Sequence, residues 1–237
     1  MQALTAMRRS ATPACRRIAG VALAGLLAGC AGLTRLPAPA APAAAWELHW
    51  GGTAKVFAPG QVIEIGVSTA LTPFREVRST SWRLADGPAK ARTMIVAADA
   101  GWIERDGERT PMKPAMLHHE RQQFGLYGLM LAVLGHGGAD VELTPVPPLR
   151  EGLRCVRARR APAPETVLCV DRDGALALGA NQVDAADGGA PVAQQFEFAG
   201  VIESRGVRWP RTLRIAHDGK PYFELTLERF EARARAD

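Results

Sequence analysis

Residues Gln195 to Phe230, QFEFAGVIESRGVRWPRTLRIAHDGKPYFELTLERF, decide the fold. Apolar and polar side chains alternate from Gln195 to Glu203 and again from Val207 to Ala216, the period of a strand with one face on a core and the other toward water. His217-Asp218-Gly219-Lys220 then turns the chain into Tyr222 to Phe230. In that last strand Phe223, Leu225 and Leu227 share one face, while Tyr222, Glu224, Thr226 and Glu228 share the other. Asp-Gly accepts the positive φ angles of a two-residue hairpin, so these strands run antiparallel. A parallel pair would need a long crossover and would be apolar on both faces.

The same pattern extends toward the N-terminus. Trp46, Leu48 and Trp50 alternate with Glu47 and His49, and Gln61 to Val67 is a second run rich in Val and Ile. Val77 to Leu84, Arg92 to Ala98 and Trp102 to Arg105 follow, the last running into the hairpin signal Asp106-Gly107. Leu153 to Arg157 and Thr166 to Val170 flank Ala161-Pro162-Ala163-Pro164, and Gly174 to Leu178 follows Asp171-Arg172-Asp173. No internal repeat is evident. Residues 46–237 are enough for one domain with its own core. The fold class expected is mainly β, an α+β chain built on a curved antiparallel sheet covered by helix.

One segment departs from the period of two. From Pro114 to Leu134 the breakers are Gly125 and Gly128, and Leu117, Phe124, Tyr127, Leu131 and Leu134 fall on one helical stripe. His118 to Gln123 is wholly polar, whereas Phe124 to Leu134 is apolar on every side. A helix apolar all round is buried, and eleven residues are too few to cross a bilayer. Two overlapping readings are open: a core helix lying on the sheet, or a lid over an apolar cavity. Under the second, Phe124, Tyr127, Leu131 and Leu134 are the candidate ligand-binding residues.

The first thirty residues carry a different message. Arg8, Arg9, Arg16 and Arg17 precede a short apolar run, Ile18 to Leu27, that ends in Leu27-Ala28-Gly29-Cys30. That layout is a secretory signal, and its close resembles the lipobox of bacterial lipoproteins. The resemblance implies a signal peptide over residues 1–29, acylation of Cys30 and a membrane anchor of several acyl chains. Ala31 follows the cysteine, where Asp is the inner-membrane retention signal of enteric systems, so the outer membrane, facing the periplasm, is expected. Residues 30–45 form a tether, since Leu36 to Ala45 is made of Leu, Pro and Ala alone and tends to extended, semi-rigid conformations.

Removing the four signal arginines from the 29 basic side chains leaves 25 against 24 acidic ones. A near-neutral mature chain gives no support for nucleic-acid binding. Cys155 and Cys169 lie on either side of the Ala/Pro turn, and in an oxidising envelope a disulfide is expected; two buried thiols are the alternative. His118 and His119 are adjacent and so point about 100° apart on a helix, a poor chelating pair; they and Glu120 are expected to be solvated. Asp171-Arg172-Asp173-Gly174 lacks the later ligands of a calcium loop and is a β-turn. With no HExxH, GxSxG, P-loop or Rossmann fingerprint, neither catalysis, metal nor cofactor is expected. The five tryptophans, Trp46, Trp50, Trp82, Trp102 and Trp209, fit either a core or an apolar groove.

A lipobox, a Pro/Ala tether, long antiparallel strands and a mid-chain apolar helix together resemble the LolA/LolB-type superfamily. The segment Gly206-Val207-Arg208-Trp209-Pro210-Arg211 through Asp218-Gly219 to Phe230 is similar to that group's C-terminal strands. The resemblance implies an incomplete barrel closed on its concave side by helices, which binds the acyl chain of a lipid or lipoprotein. The Cys155/Cys169 hairpin is not part of that pattern. A non-catalytic scaffold lipoprotein of an envelope complex is the alternative, separated by whether the concave face is open or filled.

Overall fold

The computed structural model describes residues 46–138 and 140–234. Cys30, the signal segment and the tether lie outside the described residues. The strands are β1 (Trp46–Ala58), β2 (Gln61–Thr72), β3 (Glu76–Arg83), β4 (Arg92–Val96), β5 (Gly101–Arg105) and β6 (Glu108–Pro111). Helix α1 (Pro114–Val133) comes next. After it come β7 (Glu142–Val146), β8 (Arg154–Arg159), β9 (Thr166–Val170), β10 (Leu176–Val183), β11 (Val192–Ser204), β12 (Val207–His217) and β13 (Lys220–Ala234).

All thirteen strands form one antiparallel sheet, ordered β6-β5-β4-β3-β2-β1-β13-β12-β11-β10-β9-β8-β7. The chain meanders from the central β1 out to the edge strand β6. Through α1 it crosses to the opposite edge, β7, and meanders back until β13 pairs with β1. Laid flat at about 4.8 Å per strand, the edges would stand roughly 58 Å apart, yet α1 has twenty residues and spans about 30 Å. The sheet is therefore strongly curved, and it is not closed into a barrel. Contact between the two flanks shows the same: the Arg160 guanidinium, after β8, lies 3.8 Å over the ring of Phe74, in the β2–β3 turn.

Hairpins form where the turn chemistry permits. Asp106-Gly107, Arg205-Gly206 and Asp218-Gly219 all adopt positive φ at both positions, which suits the twist of the flanking strands. Strand β1 continues to Ala58, well past the Trp46–Trp50 alternation, because Gly51 and Gly52 fall at a register shift against β13. Strand β10 runs over Leu176–Val183 rather than Gly174–Leu178, since Asp171 Oδ1 accepts from the N–H groups of Asp173 and Ala175 and holds the preceding residues in a turn. The edge strands β6 and β7 have no apolar alternation to announce them. Both are short, β6 is wholly exposed, and Pro111 and Pro145 block further pairing.

Alternation sorts the side chains into two faces. Leu48, Trp50, Val67, Leu71, Phe196, Trp209, Leu213, Leu225, Leu227 and Phe230 point to the concave side and form one core with Leu126, Leu129, Met130, Leu131 and Ala132 of α1. Outside, Trp82 lies across Gly66, where a Cβ would sit 2.3 Å from the indole, and Arg109 stacks 4.1 Å from Trp102. The tryptophans thus divide: Trp50 and Trp209 belong to the core, Trp46 packs against it, and Trp82 and Trp102 are external. Cys155 and Cys169 are cross-strand neighbours on β8 and β9, bonded to each other with Cα atoms 4.0 Å apart.

Candidate functional site

The apolar half of α1 lies against the concave face. Tyr127 packs on Trp50 at 4.9 Å and on Trp209 at 6.2 Å between ring centroids. Phe230 stacks on Trp209 at 5.4 Å, and Phe124 lies 6.1 Å from Tyr127. Burial pushes the Tyr127 phenol well above its ordinary range, with the nearby Glu120 carboxylate adding to the effect. An aromatic wall of this kind buries much apolar surface and favours offset and tilted ring contacts.

The polar half is held by one residue. Asp184, just after β10, accepts from His118 Nε2 at 2.8 Å and from the Gln122 amide at 2.9 Å through Oδ2. Its carbonyl accepts from His119 Nδ1 at 2.6 Å, and its own N–H donates to Gln122 Oε1 at 2.8 Å. The expectation of solvated side chains at 118–120 holds for His118, which stays exposed, and is corrected for His119 and Glu120. His119 is only 8% exposed, and burial raises the Glu120 carboxyl above its ordinary range, opposed by His119 and Arg92. Desolvation favours the neutral acid there.

At Gly125 and Gly128 of α1 the two flanks meet. A Cβ at Gly128 would lie 2.3 Å from the Phe74 ring, and one at Gly125 would lie 2.7 Å from Ala163. The two glycines let these loops close over the helix. Arg160 bridges the closure, stacking on Phe74 and pairing with Asp140.

Little space is left inside. A cavity of about 10 Å³ remains between Trp50, Tyr127, Met130, Trp209, Pro210, Leu213, Leu225 and Leu227. A slot of about 20 Å³ opens beside Phe124 and Gly125, walled by Leu71, Phe74, Val77, Val96 and Pro162, with Arg75 and Arg121 also lining it. Ligand pockets commonly need some 300–1,000 Å³, so the concave face is filled in this conformation. Of the four candidate ligand-binding residues, Phe124 borders the slot and Tyr127 the cavity. Leu131 is fully buried in the core and Leu134 caps the helix; neither borders either space. Among the described residues no group of three His, Cys, Asp or Glu is placed to hold a metal, and no helix is long and apolar enough to cross a membrane.

No family model matches the sequence, and no curated protein matches it either. Solved structures do resemble it. A LolA superfamily protein from Nitrosomonas europaea aligns with a TM-score of 0.50 at 8% identity, over 81% of this chain and 86% of that one. A DUF1329 family protein from Desulfovibrio piger aligns at 0.50 with 10% identity, over 82% and 88%. The fold is LolA-like. A putative outer membrane lipoprotein-sorting protein domain from Vibrio parahaemolyticus aligns at 0.49 with 8% identity, over 81% and 87%.

Within this LolA-like frame, the helix is legible in the sequence and what holds it is not. Asp184 carries no local signal, because its partners lie more than sixty residues earlier. The closure by Phe74, Arg160 and Ala163 likewise depends on loops far apart in the chain. A hint was present in Gln122, which lies four residues after His118 and so on the same helical face.

Proposed function

We propose that the protein is a periplasmic lipoprotein, anchored in the outer membrane through Cys30, whose concave face receives an acyl chain of a lipid or lipoprotein when α1 is displaced. One observation carries the reading. A helix with an apolar half joins the two edges of an unclosed sheet, and that half lies on an aromatic wall of the concave face at Trp50 and Trp209. The fold likeness to a LolA superfamily protein supports it. Energetically the exchange is balanced. A 16-carbon chain offers about 14 methylenes at roughly 0.8 kcal/mol each, and each large apolar side chain that α1 withdraws costs about 1.5–3 kcal/mol.

The filled concave face favours a second reading, a non-catalytic scaffold whose sheet is completed by its own side chains. Native mass spectrometry with added palmitate separates the two. A saturable one-to-one adduct supports the carrier; its absence at concentrations well above those of fatty-acid carriers supports the scaffold.

A further inference from the structure

We infer that the outer face of the sheet carries a second binding site, for a phosphate-bearing group, centred on Arg229. The register between β1 and β13 places Gly51 opposite Arg229 and Gly52 opposite Leu227, so Glu228 is an extra residue on β13. A bulge of this kind re-aims the neighbouring side chain. The Arg229 guanidinium lies flat over Gly51: a Cβ at position 51 would be 2.4 Å from Cζ and 2.5 Å from Nη2. Its Nη2 donates to Ser68 Oγ at 3.3 Å. Only glycine at position 51 leaves room for this pose.

The guanidinium forms one wall of a dish of about 600 Å³. Ser68, Ala70, Thr80, Arg78, His49 and Glu231 are among the residues that line it. Two arginines and two hydroxyl residues therefore border one concave space, the Thr80 hydroxyl bonded to that of Thr93 and the Arg229 guanidinium to Ser68. Three other arginines of this outer face are paired with carboxylates, Arg78 with Glu104, Arg214 with Glu224 and Arg233 with Glu231, and Arg208 donates to the Asp173 carbonyl. Arg229 pairs with no acid among the described residues. Glu231, the carboxylate of the dish, is engaged at 2.8 Å by both Nε and Nη2 of Arg233, so it does not neutralise Arg229. A planar guanidinium with unused donors beside hydroxyls matches a tetrahedral oxyanion. The volume exceeds that of a bare phosphate and admits a phosphodiester with a small alcohol. The dish is on the opposite side of the sheet from the acyl site, and neither site requires the other.

The test is calorimetric titration of the full chain with inorganic phosphate and with dihexanoyl-phosphatidylglycerol below its micelle-forming concentration. Both should bind. Arg229→Gln keeps much of the stem over Gly51 and should weaken binding at least about tenfold. Ser68→Asp leaves Arg229 in place, offers it an internal carboxylate, and should weaken binding to a similar degree. Tighter binding of the lipid than of phosphate assigns the site to a headgroup; equal binding assigns it to free phosphate. The inference is overturned if neither anion binds, or if a folded Arg229→Gln or Ser68→Asp protein binds both as tightly as wild type.

Discussion

Gly128→Ala probes how α1 is held. In an exposed helix the change would stabilise by about 1 kcal/mol, the usual advantage of Ala over Gly. Here the new methyl would stand 2.3 Å from Cε2 and 2.4 Å from Cζ of Phe74, so the ring must retreat by more than 1 Å to reach an ordinary contact of about 3.5–4 Å. Phe74 sits at φ 59°, an uncommon angle for a residue with a side chain, which limits backbone adjustment. A retreating ring also loses the Arg160 guanidinium stacked at 3.8 Å. Overpacking costs about 1–3 kcal/mol and the cation–π contact about 0.5–2 kcal/mol. After the helix-propensity gain, the closed form should lose about 0.5–4 kcal/mol. If ligand competes with closure, each 1.4 kcal/mol lost tightens apparent binding about tenfold. Denaturant unfolding and titration with a fluorescent fatty acid read the two effects separately. A variant as stable as wild type would refute the close approach at Gly128. Reduced stability with unchanged probe affinity would refute the displacement of α1.

Cys30→Ser should abolish metabolic lipid labelling and leave an uncleaved precursor; unchanged labelling would end the anchor reading. For the Cys155–Cys169 bridge, closing a loop of about 15 residues contributes roughly 3 kcal/mol in the chain-entropy model. Alkylation under denaturing, non-reducing conditions should find neither thiol free, and reduction should lower the unfolding midpoint. His217 lies 2.8 Å from the Gln194 amide nitrogen, and burial holds its imidazole below the ordinary value, with His119 adding to the effect. The unfolded chain therefore takes up this proton at a higher pH than the folded one, and stability falls as pH drops through and below the ordinary imidazole range, about 6.5. His217→Gln should flatten that slope in thermal melts between pH 7.5 and 5.5.

The hairpins were largely legible because they are local, whereas the β1–β13 pairing that joins the two halves of the sheet is not. Asp106-Gly107 and Asp218-Gly219 mark their hairpins by turn chemistry, and α1 ends at Val133, one residue from the apolar stripe's end at Leu134. The Cys155/Cys169 pairing followed from two short runs around one turn. Three features resisted for a common reason: they depend on side chains that meet across the sheet. His119 looked solvated beside His118 and Glu120, but Asp184 closes over it. Gly125 and Gly128 looked like weak points of a helix, whereas Ala163 and Phe74 press against them. Whether Trp50, Tyr127 and Trp209 enclose a cavity or fill it depends on summed volumes, which periodicity does not encode.

The most direct test of the central claim places a quencher where the acyl chain should go. In a variant with Trp46, Trp82 and Trp102 replaced by Phe, Trp50 and Trp209 remain, on either side of the void under α1. Titration with a doxyl-labelled fatty acid should quench their emission saturably, and unlabelled palmitate should restore it. Emission that stays unquenched while the same ligand quenches the Trp82 and Trp102 of wild type would place the acyl chain outside the sheet and contradict the account.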